Sequence, residues 1–143
     1  MCSFCAIVGD PSQAHVVLDR GGSLAFLDHR PLFAGHTLLI PKEHFETLGD
    51  LPTDRIEEFF GHAQMLAAGI ESAMGAQGTF VAMNNKVSQS VPHLHVHVVP
   101  RRRKDGLRGF FWPRTKYRGD HHMAETASTI RAELERLSAD HKQ

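Results

Sequence analysis

The stretch Ser90-Val91-Pro92-His93-Leu94-His95-Val96-His97-Val98-Val99-Pro100 carries three histidines at alternating positions. In a β-strand the side chains at i, i+2 and i+4 point to one side. The pattern predicts a strand over residues 93–99, with three imidazoles on one face and Leu94, Val96 and Val98 packed on the other. Imidazole is the side chain best suited to exchange a proton near neutral pH. A lone histidine on such a strand reads as an outward polar residue. Three in register are costly to bury without a purpose, and they mark this face as a site.

The remaining periodicity supplies the frame. Apolar alternation over residues 15–19 and 23–27 predicts two strands joined by a hairpin turn at Arg20-Gly21-Gly22. Arg30-Pro31 breaks the chain, and Gly35 opens a third strand over residues 36–40, ended by Pro41. From Pro52, Ile56, Phe59, Phe60, Ala63, Leu66, Ile70 and Met74 recur at helical steps, with Gly75 and Gly78 as stop signals. Residues 79–83 form a fourth strand, and a polar loop leads to the histidine strand. Asp120 can cap a last helix bearing Met123, Ala127, Ile130, Leu134 and Leu137 at helical spacing. The order β-β-β-α-β-β-α implies an α+β domain with an antiparallel sheet and a helix on one face.

A chain of 143 residues fits one domain with a single core, here residues 1–143 with a basic, aromatic C-terminal extension over 101–143. Sixteen basic and sixteen acidic residues cancel, so no global field selects nucleic acid or membrane. There is no basic leader followed by a long apolar run and no membrane-spanning stretch, so the expectation is a cytoplasmic protein without a membrane partner. The only cysteines, Cys2 and Cys5, are spaced Cys-x-x-Cys. In a reducing compartment that spacing reads as half a zinc site or a redox pair before a disulfide. A redox pair would follow a strand and start a long helix, and here only Met1 precedes it.

The run His93-Leu-His95-Val-His97-Val-Val resembles the signature of the histidine-triad superfamily of nucleotide hydrolases and transferases. Residues 24–28 (Leu-Ala-Phe-Leu-Asp), residues 35–44 (Gly-His-Thr-Leu-Leu-Ile-Pro-Lys-Glu-His), Asn84 and residues 88–91 (Ser-Gln-Ser-Val) follow in that family's order. The resemblance covers about residues 2–101 and implies a five-stranded sheet and a homodimer. It implies that His95 is a nucleophile forming a nucleotidyl-histidine intermediate, that His97 contacts phosphate or the leaving oxygen, and that His36 supports them. It implies that Asp28 accepts ribose hydroxyls. Phe4, Ile7, Phe26 and Leu27 are apolar residues that would sandwich a purine, with core packing as the competing use. Asn84, Ser88, Gln89 and Ser90 are expected near ribose or phosphate. The resemblance departs in residues 84–90, which are short and lack glycine; Lys86 would supply charge there.

Cys2, Cys5, His44 and His93 form a second constellation. A metal-bearing branch of the superfamily uses these positions, and two thiolates with two imidazoles make a closed tetrahedral zinc set. Such a site is structural, with no open position for water, so no catalytic metal is expected. Last, residues 101–104 (Arg-Arg-Arg-Lys) precede Phe110, Phe111, Trp112 and Tyr117, a mixture suited to stacking a second base or gripping polyphosphate. The leading expectation is therefore a hydrolase or nucleotidyl transferase acting on diadenosine polyphosphates, then adenosine phosphoramidates. The alternative is a module that binds nucleotide or single-stranded nucleic acid with little turnover.

Overall fold

The computed structural model describes residues 2–108 and 113–141. The elements are α1 (Ser3–Gly9), β1 (Val16–Arg20), β2 (Ser23–Leu27), β3 (Thr37–Pro41), α2 (Thr53–Ala73), β4 (Gly78–Ala82), β5 (Val96–Arg101) and α3 (Asp120–His141). The five strands form one antiparallel sheet in the order β1-β2-β3-β5-β4. This is the α+β architecture expected from the hydrophobic pattern, a five-stranded sheet with a helix packed on one face.

The two-residue period of the strands sorts the core. Ala25, Leu39, Leu94, Val96 and Val98 gather on one face with Phe59, Ala63 and Leu66 of α2. Leu24, Phe26, Leu38 and Ile40 gather on the other with Phe4 and the half-buried Ile7 and Val8. Neighbours along β2 and β3 thus belong to different clusters. The β1–β2 turn at Gly21-Gly22 has Gly21 at φ +49, and Glu58 of α2 accepts from the Gly22 N–H at 2.7 Å. Helix α2 buries the predicted face through Phe59, Ala63 and Leu66, while Ile56 stays exposed and Met74 sits at the C-cap. Arg102 places its guanidinium on the Met74 carbonyl, where a cation suits a helix C-terminus.

Two elements differ from the expectation. Residues 3–9 form a helix that the pattern reading did not include. Its signal is the spacing of Phe4, Ile7 and Val8, with the Cys2 sulfur capping the Cys5 N–H. The histidine strand begins at Val96, not at residue 93, so only His97 of the triplet lies in it. The cause is Pro41, which has no N–H to give to the ladder. Leu39 still pairs with Val96, but beyond it the Leu94 N–H turns to the Phe45 carbonyl at 2.7 Å. The Pro41 carbonyl instead accepts from the His93 ring at 2.7 Å.

The chain divides into a compact unit through Asp105 and a second, from Gly106 onward, that contains α3. The first four basic residues of the predicted extension thus belong to the sheet unit. Met123, Ile130, Leu134 and Leu137 of α3 are exposed.

Gly35 has φ +100, a conformation that an L side chain rarely adopts, and an added Cβ would lie 2.9 Å from Cγ of Met74 and 3.3 Å from Cγ of Pro100. Gly35→Ala should cost about 2 kcal/mol or more and lower the melting temperature by roughly 4–8 °C. A variant that melts within a degree of the parent would show that this backbone is not strained by a side chain.

Candidate functional site

On the face of the sheet that carries α1, a cavity of about 630 Å³ opens between the helix and the strands. Phe4 and Ile7 wall one side, Phe26 and Leu38 the floor, and Asp28, Ser90, His95 and His97 supply polar groups. Phe4 meets Phe26 edge-on at 5.4 Å and the His95 ring at 5.1 Å. An apolar slot with a few convergent polar groups is the usual form of a small-molecule site.

The hydrogen bonds around the rings settle their tautomers, because a carbonyl can only accept and a backbone N–H can only donate. His95 donates from Nδ1–H to the carbonyl of His93 at 2.7 Å, which leaves a lone pair on Nε2. His36 accepts the Leu32 N–H on Nδ1 at 3.0 Å, so its own proton sits on Nε2. That Nε2–H donates to Nδ1 of His97 at 2.9 Å, with Asp28 Oδ2 3.6 Å away. His97 is then left with its proton on Nε2. One ring offers a nucleophilic nitrogen; the ring beside it, 5.1 Å between centroids, offers a donor.

Burial keeps His36 and His97 neutral. It pushes His97 down to about 4, with His95 and His36 adding to the effect and Asp28 opposing it. Burial likewise lowers His36, partly offset by Asp28. A neutral His97 donates a hydrogen bond without being an acid at neutral pH.

Four further donors converge beneath α1. Sγ of Cys2 lies 3.4 Å and Sγ of Cys5 3.6 Å from Nδ1 of His93, and Cys5 Sγ lies 3.2 Å from Nδ1 of His44. All four ligand atoms fall within 4.8 Å of one another. Tetrahedral zinc with sulfur at ~2.3 Å and nitrogen at ~2.0 Å separates its ligands by roughly 3.3–3.8 Å, so the spacing fits. The tautomer fits as well: His93 spends its Nε2–H on Pro41, and Nδ1 faces the sulfurs with a lone pair. The Cys5 thiol is pushed up by burial and then by Cys2, a pairing that a cation would relieve. Asp28, His36 and His97 form another convergent group. There the His36–His97 contact already holds a proton, so its chemistry is donation and not ligation.

Placement of the remaining expected residues is mixed. Leu27 and Ser90 line the cavity; Asn84, Ser88 and Gln89 do not. Gln89 closes its own loop, accepting the Lys86 N–H at 2.8 Å and donating to the Glu46 carbonyl at 2.5 Å. Lys86 and Ser88 stand at φ 70 and 60, the left-handed backbone that glycine takes most easily. The glycine-free loop thus keeps a glycine-like path. Arg101 is paired with Asp105 at 2.6 Å, and Arg102 is held by Met74; both lie at the far end of β5 from His97. Tyr117 is exposed with its ring 5.2 Å from His122. Phe110, Phe111 and Trp112 lie outside the described residues. Pattern reading passed over Leu38, His29 and Arg30 of the wall. Leu38 was recoverable, since it pairs with Phe26 across β2 and β3.

A family model for the HIT domain matches residues 11–104. The chain belongs to the HIT family. Among relatives of this HIT protein, the adenosine 5′-monophosphoramidase HNT1 of Saccharomyces cerevisiae is 37% identical over 109 residues, covering 74% of this chain and 66% of that one. The crystal structure of a HIT family member from Bacillus subtilis superposes with a TM-score of 0.81 at 29% identity, covering 92% of this chain and 95% of the other. A zinc-bound histidine triad family protein from Mycobacterium smegmatis superposes with a TM-score of 0.70 at 34% identity, covering 97% and 96%. No helix among the described residues is long and apolar enough to cross a membrane.

The lowered His97 has a consequence for stability. The unfolded chain takes up this proton near 6.5 and the folded HIT protein only near 4, so between those values the unfolded state holds more protons. The contribution is complete above pH 6.5 and is lost as the pH falls toward 4, by up to about 3 kcal/mol. His97→Asn should therefore show a shallower fall of melting temperature between pH 6.5 and 4, with part of the slope kept by His36 and His93, which are lowered too. An unchanged slope would mean that the fold does not lower His97.

Proposed function

We propose that this HIT protein cleaves a bond to the α-phosphate of a purine nucleotide in two steps. The Nε2 lone pair of His95 attacks phosphorus; a P–N bond forms and the bond to the leaving group breaks. Water then cleaves the P–N bond, releasing the nucleoside monophosphate and the free ring. The observation that carries this reading is the bond from His95 Nδ1–H to the His93 carbonyl, which leaves Nε2 unprotonated beside the Nε2–H of His97. That second N–H stabilises charge on a phosphate or leaving oxygen. Phe4, Ile7, Phe26 and Leu38 would hold the base, and Asp28 the ribose. Asp28 already accepts the Arg30 N–H on Oδ1 at 2.9 Å, which fixes the carboxylate and leaves further lone pairs.

The substrate class is an adenosine phosphoramidate or a dinucleoside polyphosphate; these share the AMP half and differ in the leaving group. The first is supported by the activity in the yeast relative's name. The second draws support from the basic, aromatic stretch, although Arg101 and Arg102 are committed to the fold. Cys2, Cys5, His44 and His93 would hold a structural zinc, as the donor geometry and the zinc-bound mycobacterial structure support. A homodimer is part of the reading, supported by the exposed apolar side chains of α3.

His95→Asn should abolish turnover and the nucleotidyl adduct detectable by intact mass, with AMP affinity kept within about tenfold, because a nucleophile acts after binding. Near-normal single-turnover cleavage of adenosine phosphoramidate by this variant would remove His95 from the nucleophile's role.

Metal analysis of protein purified without chelator should find about one zinc per chain, and Cys2→Ser should lower both zinc content and melting temperature. Full occupancy in Cys2→Ser would exclude that sulfur as a ligand.

A further inference from the structure

The metal donors and the nucleotide cavity share one short piece of chain. Cys2 and Cys5 flank Ser3 and Phe4, and Ser3, Phe4 and Ile7 of α1 line the cavity. Phe4 lies edge-on to His95 at 5.1 Å with an interplanar angle of 88°, and to His93 at 5.9 Å. His93 is at once a donor of the metal set and the residue whose carbonyl holds the His95 proton. Two separate paths therefore run from the four-donor cluster to the nucleophile, one through the Phe4 ring and one through the His93 backbone.

We propose that Phe4 is a positioning residue for His95, and that through it and His93 the metal set of Cys2, Cys5, His44 and His93 governs nucleotide affinity. This rests on the nucleotide-binding reading above. A helix of seven residues is marginal by itself, and α1 gains its place from few contacts. Only Phe4 of α1 is buried, and Ile7 and Val8 are half-buried. Without a cation the four groups are joined only by weak thiol–imidazole hydrogen bonds of 3.2–3.6 Å, and the wall of the cavity rests mainly on the packing of those three side chains. Filling the four donors orders the wall before the base arrives, so the base no longer bears the ordering cost. Linkage then requires the converse: bound nucleotide raises metal affinity by the same factor.

The test uses the full-length protein, with zinc and AMP as probes. Titration calorimetry should give an AMP Kd on the order of tenfold weaker in zinc-free than in zinc-loaded protein, with the sheet intact by circular dichroism. Competition with a colorimetric chelator should show that saturating AMP tightens zinc by a matching factor. His44→Ala removes a donor outside the cavity and should lose zinc and AMP affinity together. Phe4→Ala keeps all four donors; it should retain zinc, weaken AMP and bring the zinc-loaded and zinc-free AMP constants together, and Phe4→Tyr should restore the difference. Loss of a residue that merely packs would raise both Kd values in parallel and keep their ratio.

Equal AMP constants in the two folded forms would overturn the proposal. If the zinc-free form unfolds, the competition arm on loaded protein decides, and zinc affinity indifferent to AMP overturns it there. Failure of the function itself looks different, since zinc-loaded protein would then bind no AMP at all, and the coupling falls with it.

Discussion

The bond from His95 Nδ1–H to the carbonyl of His93 is the constraint on which the site depends. An imidazole with both nitrogens free to exchange would present the wrong tautomer part of the time. A carbonyl acceptor removes that freedom, because only the Nδ1–H form can make the bond. The carbonyl must itself stand still, and the structure fixes it on both sides. The His93 N–H donates to Val91 at 2.8 Å, and the His93 ring donates to Pro41 at 2.7 Å. The break in the β3–β5 ladder thus fixes the His93 ring and carbonyl together. Had the ladder continued past Val96, the Pro41 carbonyl would face a backbone N–H and not a ring.

The clustered histidines and the cavity they line lie on the face covered by α1, while α2 packs against the other. Helix α2 has 21 residues and packs Phe59, Ala63 and Leu66 into the sheet, and the groove of about 380 Å³ left between its C-terminal half and β1–β3 holds none of the clustered histidines. Helix α1 has seven residues and covers its face only in part, which leaves a cavity bounded by apolar side chains. The same partial cover desolvates His36 and His97 enough to hold them neutral. Depth of burial and access to ligand are set together by the length of one short helix.

Much of this was legible in the sequence, and for a physical reason. Strand alternation in residues 23–27 and 36–40 and the helical steps from Phe59 to Ile70 are local patterns, so the five strands and α2 follow from them directly. The grouping of Cys2 and Cys5 with His44 and His93 came from the resemblance, and the geometry brings those four together. The start of β5 was hidden because it depends on Pro41, more than fifty residues away. The inward turn of Gln89 was hidden for the same reason, since its partner is the Glu46 carbonyl. The partners of the basic stretch were hidden as well: in the fold Arg101 meets Asp105, and Arg102 meets the end of α2.

Two clusters of similar composition stand on either side of His95, and proton placement gives them opposite preferences. Toward the N-terminus, His93 directs its N–H away to Pro41 and turns a lone pair toward two sulfurs, an arrangement suited to a cation. Toward β3, Leu32 fills the lone pair of His36 Nδ1, and the proton passed along to His97 turns an N–H outward, an arrangement suited to phosphate. Exchange of these preferences would need only a change of backbone partner at His36 or His93, with no change in side-chain identity. The carbonyl of Pro41 and the amide of Leu32 therefore decide which ring turns a lone pair to the sulfurs and which turns an N–H outward, and His95 is bonded to the backbone of one group and packed beside the other.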